Sequence, residues 1–220
     1  MKINGLVISS GFSNRMGKFK PLLQFNGLPF CLLIPLKMAA ICSKIIIVVG
    51  HEGNRIKDLV ENLLSNPEKL IEHVSPDIPA QVLMNLGEKI EIYSNPDYDK
   101  GMFSSLQNGI KQLSLTDWLM YHFVDQPGLP LSFYLEFVNM INESVDWIQP
   151  KYLFQKGHPI LINSRLFPKI IEYSPSGNLR EISSSKQINK KYWDCPYKEV
   201  LQDINTPADY RSLLDELKKE

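Results

Sequence analysis

The amino-acid sequence predicts an α/β protein: a single doubly wound, Rossmann-like domain with a mostly parallel central sheet, helices on both faces, and a small, less regular subregion. Three observations carry this expectation. Strand-like runs and helix-period segments alternate from Ile3 to Trp147, as in sheets built from βαβ units. The strongest runs, such as Lys44 to Val49, are continuously apolar and β-branched, which suits strands covered on both faces. A chain of 220 residues with 44% apolar and 22% charged residues has the size and composition of one compact domain.

Taken in order, Ile3 to Ile8 reads as a buried strand, Phe30 to Ala40 as a helix and Lys44 to Val49 as the next strand. Ile56, Leu59, Val60, Leu63 and Leu64 then recur at helical spacing within Asn54 to Leu64, before a polar loop containing Pro67, Pro76 and Pro79. Ile90 to Tyr93 predicts a strand, Phe103 to Leu113 a helix, and Trp118 to Val124 a strand stopped by Asp125-Gln126-Pro127. A helix near Ser132 to Asn142 and a strand near Trp147 follow. From Gln149 to Tyr192, Gly157, Pro159, Pro168, Pro175 and Gly177 break the regularity. The chain closes with a predicted strand at Glu199 to Asp203 and a helix capped by Thr206, with Pro207 first and Asp209 third.

Ser9 to Lys20 is the segment richest in chemistry. It leaves the carboxyl end of the first strand, where open α/β sheets bind ligands. Ser9, Ser10, Gly11, Ser13 and Gly17 are small enough for backbone N–H groups to approach a polyphosphate, while Arg15, Lys18 and Lys20 supply positive charge. A Walker A loop is excluded: Phe12 to Met16 separate Gly11 from Gly17, and Phe19 follows Lys18. The G-x-G-x-x-G fingerprint is absent as well.

Ser10-Gly11-x-Ser13-x-Arg15-Met16-Gly17-x-x-Lys20-Pro21-Leu22-Leu23 resembles the signature of the MobA-like nucleotidyltransferases, in particular their molybdenum-cofactor cytidylyltransferase branch. Asn95-Pro96, Gly101-Met102-x-Ser104-Ser105-Leu106-x-x-Gly109-Ile110, Asp125-Gln126-Pro127, Gly157-His158-Pro159 and Asp203-Ile204-Asn205-Thr206-Pro207 follow in that family's order, from Gly5 to about Tyr210. The resemblance implies a nucleotide-diphospho-sugar transferase-like fold over residues 1–220, with a nucleotide-binding part at about 1–130 and an acceptor-binding part at about 131–200. It also implies transfer of a nucleoside monophosphate, CMP from CTP, to the terminal phosphate of molybdopterin, with a molybdoenzyme or its chaperone as a further partner. A related transferase using GTP or another phosphorylated acceptor, and a non-catalytic nucleotide-binding module, are the alternative readings.

Residue by residue, Arg15 and Lys20 are expected to balance charge on the triphosphate. Asp125, at a strand end, and Asp203, ahead of the capped helix, are expected to hold Mg²⁺, which favours one or two carboxylates together with phosphate oxygens. Gly50, Ser104 and Ser105 are expected beside the nucleoside, and His158 and Arg180 beside the acceptor. Where relatives carry Ala-Ala-Gly or Ala-Gly-Gly, this chain has Ser9-Ser10-Gly11, which adds two hydroxyls near the expected base.

Equal totals of 24 basic and 24 acidic residues exclude a global field that would hold nucleic acid or an anionic membrane. No apolar run is long enough to span a bilayer, and the N-terminus lacks the pattern of an export signal, so a cytoplasmic location is expected. Cys31, Cys42 and Cys195 are scattered, and with the four His they form no zinc or disulfide pattern. His73 is expected at the surface and His122 within a strand.

Overall fold

The computed structural model describes residues 1–66, 70, 78, 82, 83 and 85–217. The expected loop with Pro67, Pro76 and Pro79, and His73, therefore lie outside the described residues.

The first strand, β1 (Ile3–Ser9), is buried along its length. After the loop come a two-residue hairpin, β2 (Gln24–Phe25) and β3 (Leu28–Pro29), then α1 (Phe30–Met38), β4 (Lys44–Val49), α2 (Gly53–Leu64), the short α3 (Leu86–Lys89) and β5 (Ile90–Ser94). The chain continues through α4 (Met102–Gln112), β6 (Trp118–Phe123), α5 (Leu131–Val138), β7 (Trp147–Tyr152), β8 (Gln155–Lys156) and β9 (Ile160–Asn163). It closes with α6 (Phe167–Glu172), α7 (Leu179–Ser183), β10 (Lys190–Asp194) and α8 (Pro207–Leu217).

The main sheet runs in the order β10-β7-β9-β6-β1-β4-β5, with β8 paired to β7. β1 is parallel to both β4 and β6, and β5 is parallel to β4. β9 runs antiparallel between β6 and β7, and β10 lies parallel to β7. The sheet is thus mixed and mostly parallel. The irregular stretch from Gln149 to Tyr192 therefore holds strands that extend this same sheet.

Because successive strand side chains point to opposite faces, β1 divides its residues between two cores. Val7 joins Ile45, Ile47 and the residues of α1, α2 and α5 on one face. Leu6 and Ile8 join Ile46, Val48, Leu106 and Ile110 on the other, with Ile170 and Ile182 of α6 and α7. All but one residue of α1 are buried, as expected of a helix apolar on every side. α8 begins with the expected reciprocal cap: Asp209 N–H donates to Thr206 Oγ1 (3.2 Å), and Asp209 Oδ2 accepts from Thr206 N–H (2.7 Å).

The expectation of a strand at Glu199 to Asp203 is corrected. Lys198–Leu201 forms a 3₁₀ turn. Its Val200 carbonyl accepts from His158 N–H (3.0 Å) and Gln126 Nε2 (3.3 Å) rather than from a neighbouring strand. The segment is spent on fastening two loops of the site. A Cβ on Gly157 would lie 2.4 Å from that same carbonyl oxygen, so the approach requires glycine.

His122 is a buried strand residue whose ring is satisfied on both sides. Phe123 O, 3.0 Å away, accepts from Nδ1–H, which leaves Nε2 to accept from the Tyr134 hydroxyl at 2.9 Å. Burial, first, and then the His158 charge hold its pKa down at about 3. Its folded pKa lies below its unfolded value, so its contribution to stability is complete above about pH 6.5 and is lost as the pH falls toward 3. Urea midpoints measured between pH 7 and 4 should fall, at about 1.4 kcal/mol per pH unit from this group in that window. His122→Gln should flatten the slope; an unchanged slope would show that other groups carry it.

Candidate active site

The carboxyl ends of β1, β4, β5 and β6 converge where the chain order reverses about β1, the usual ligand crevice of an open α/β sheet. The loop after β1 is pinned at several points. Met16 is buried inside a 3₁₀ turn, Asn14–Met16, flanked by Ser13 and Gly17 in left-handed conformations with φ of 57° and 66°. For Ser13 that backbone is costly, and its Oγ offsets part of the cost by accepting from Lys20 N–H at 3.1 Å. Gly11 faces open space.

At the centre, Lys20 Nζ donates to Asp125 Oδ2 and to Asn205 Oδ1, each at 3.0 Å. Arg15 Nη2 donates to the same Asn205 oxygen at 3.1 Å. Asp203 Oδ1 accepts from Gln126 Nε2 at 2.8 Å, and Asp125 O accepts from Ile204 N–H at 2.8 Å. The segment after Asp125 is held from beneath by Lys37, whose Nζ donates to Pro127 O (2.9 Å) and Leu129 O (2.6 Å). Burial lowers the Lys37 pKa to about 8.

Arg15, Lys20, Asp125, Asp203 and Asn205 line a cavity of about 570 Å³ with Gly11, Phe12, Ser13, Asn14, Met102, Phe123 and His158. A second cavity, of about 710 Å³, shares Met102, Phe123 and His158 with it. Lys100, Lys156, Arg180 and Lys190 line the second cavity, and no carboxylate does among the described residues. At the junction, the His158 ring meets Phe123 edge-on at 4.6 Å. Burial lowers its pKa to about 4, against the opposing pull of Asp125.

Asp203 carries a carboxyl raised above its ordinary range by burial first and by the Asp125 charge next. A hard cation would relieve that like-charge repulsion. Among the described residues no three His, Cys, Asp or Glu side chains cluster to cage a metal. Two carboxylates completed by phosphate and water oxygens suit Mg²⁺-type coordination.

The structure brings Arg15, Lys20, Asp125 and Asp203 into one cavity with Gly11 and Ser13, and places His158 at its border and Arg180 in the neighbouring cavity. Other expected residues lie behind this wall. Ser10 Oγ and Ser105 Oγ are 2.8 Å apart, and Asn95 Nδ2 donates to Ser104 Oγ (2.9 Å) and Ser105 Oγ (3.0 Å). All four of these side chains are buried. Gly50 is packed beneath Tyr98 and the Ser10 carbonyl. Ser9 is buried, with no partner for its hydroxyl among the described residues. Asn205, Gln126 and Lys37 have no role legible in the sequence: Asn205 and Gln126 stand within the Asp203 to Pro207 and Asp125 to Pro127 runs, and the oxygen that Asn205 shares becomes visible only in three dimensions.

The family model for the MobA-like NTP transferase domain matches residues 5–190. The chain belongs to the MobA-like NTP transferase family. Within it, this MobA-like chain is 22% identical over 209 residues to the molybdenum cofactor cytidylyltransferase of Escherichia coli (strain K12), covering 94% of this chain and 93% of that protein. A nucleotidyl transferase from Methanothermobacter thermautotroptrophicus superposes with a TM-score of 0.76 at 16% identity, covering 100% of this chain and 99% of the other. The manganese complex of Rv0371c from Mycobacterium tuberculosis H37Rv gives 0.66 at 15%, covering 98% and 99%. These likenesses establish the nucleotide-diphospho-sugar transferase fold. No described helix is long and apolar enough to cross a membrane.

Proposed function

We propose that this MobA-like transferase moves CMP from CTP to the terminal phosphate of a molybdopterin-type acceptor, releasing pyrophosphate, with Mg²⁺ as its cofactor. The observation that carries the reading is the pair of cavities meeting at His158 and Phe123: one joins cations to two carboxylates, while the other is cationic and free of carboxylate among the described residues. The first suits a metal-bound triphosphate and the second a phosphorylated, ring-bearing acceptor, with Tyr121, Trp147 and Tyr192 among its walls. The name of the E. coli relative supports the choice of CTP and molybdopterin.

Asp125 and Asp203 would hold the cation. When bound, it supplies charge neutralisation at the phosphates and orientation of the leaving group. Arg15 and Lys20 would bind triphosphate oxygens, keeping Asn205 as their shared anchor. Backbone N–H groups about Gly11 would take further oxygens. A phosphate monoester is already ionised near neutral pH, so the acceptor oxygen needs no base. It bonds to the α-phosphorus as the bond to the bridging oxygen breaks, and pyrophosphate leaves with that electron pair. His158, neutral at physiological pH, and Arg180 would position the acceptor. Cytoplasm is the proposed setting, and a molybdoenzyme or its chaperone the proposed recipient.

The test is incubation with Mg²⁺ and each triphosphate in turn, with and without molybdopterin, with mass identification of the product. The cytosine dinucleotide with stoichiometric pyrophosphate is expected. Product from GTP alone would reassign the base, and no product from any triphosphate would overturn the transferase reading.

A further inference from the structure

Behind the phosphate loop, the hydroxyls that could read a base edge are largely engaged with one another, and that of Ser9, which has no partner among the described residues, is buried in β1. Ser10, Ser104, Ser105 and Asn95 form one buried set, and opening it would strand several polar groups at once. Edge recognition by these hydroxyls is therefore costly. Facing the cavity instead is an apolar ring. Phe12, in the phosphate loop, is 46% exposed although it is large and apolar, and it lines the cavity that holds Arg15 and Lys20.

Phe12 is also supported from behind. Its ring centroid lies 5.2 Å from that of His51, after β4, and 5.5 Å from that of Tyr98, after β5. His51 in turn meets Phe19, and Arg55 sits over Phe19 with its guanidinium carbon 5.2 Å from the ring centroid. Residues that follow two neighbouring strands, β4 and β5, thus brace one exposed ring in the loop after β1. Such bracing reduces the rotamer entropy lost when a flat ligand settles on it. Met102, 58% exposed, lines the same cavity and adds a second apolar, polarizable surface.

We infer that Phe12 is the stacking platform for the nucleobase, so that base affinity comes largely from the face of the base and little from its edge. This rests on the triphosphate reading above and deepens it, because stacking tolerates any base. The platform anchors the nucleoside without choosing it.

Equilibrium binding of CTP, GTP and inorganic tripolyphosphate, each with Mg²⁺, to the full chain and to Phe12→Ala and Phe12→Trp tests this. Phe12→Ala should weaken CTP and GTP by similar factors, roughly 10-fold for the loss of one aromatic stack, and leave tripolyphosphate unchanged. Phe12→Trp should restore nucleotide binding. Equal weakening of nucleotides and tripolyphosphate would overturn the inference, because Phe12 would then merely shape the loop. So would tight nucleotide binding by Phe12→Ala, which leaves the triphosphate reading intact. Wild-type protein that binds no nucleotide would overturn both.

Discussion

Asp125→Asn is expected to lower turnover by roughly two orders of magnitude or more, the scale of losing one strong electrostatic contact in the transition state. The substitution is nearly isosteric. The amide oxygen can still accept from Lys20 Nζ, and the backbone carbonyl that accepts from Ile204 N–H at 2.8 Å is untouched. The fold should therefore persist, with a thermal midpoint close to that of the parent. What disappears is the negative charge that, with Asp203, is proposed to hold the divalent cation. Pyrophosphate release under saturating Mg²⁺ and CTP checks this directly. Near-normal turnover would remove Asp125 from the chemistry and leave it as a strand-end residue.

Lys20→Met should reduce kcat/KM by about 100-fold, for a different reason. Lys20 is the hub between Asp125 and Asn205, with side-chain exposures of 13% for Lys20 and 23% for Asp125. In the free protein its charge faces Asp125; with a triphosphate present it would also meet phosphate charge. Methionine preserves length and apolar stem but removes the charge and both hydrogen bonds. Because both side chains are mostly covered, removing the ammonium leaves Asp125 without its ion-pair partner and should lower the thermal midpoint; activity lost at a temperature where the variant is still folded separates chemistry from folding. Activity within a few-fold of the parent would show that Arg15 alone suffices.

The parallel half of the fold is legible because local pattern and tertiary environment agree there. Lys44 to Val49 is β-branched and apolar, and it sits between two neighbours in the sheet, β1 and β5. β9 is harder to foresee. It is only four residues long, follows Pro159, and owes its direction to pairing with Trp118 to Tyr121 and with β7. Glu199 to Asp203 reads as a strand by composition, but the Val200 carbonyl is claimed by His158 and Gln126, contacts distant in sequence. In the site, Asp125 is legible as a charge at a predicted strand end and Lys20 as a charge in the loop that follows the first strand. Ser104 and Ser105 were visible only as hydroxyls at a helix start; which way they point depends on Asn95, Ser10 and Asp97.

Asn205 joins Lys20 and Arg15 across separations of 185 and 190 residues. The loop after β1 therefore takes its anchor from a residue far along the chain, a contact of high sequence separation whose closure costs chain entropy. The parallel pairs of the sheet join residues closer in sequence, Asn4 to Lys44, Ile45 to Ile90 and Ile3 to Trp118, so the contacts of Asn205 are longer-range than any of these. The stretch before α8 thus acts as the keystone of the proposed site.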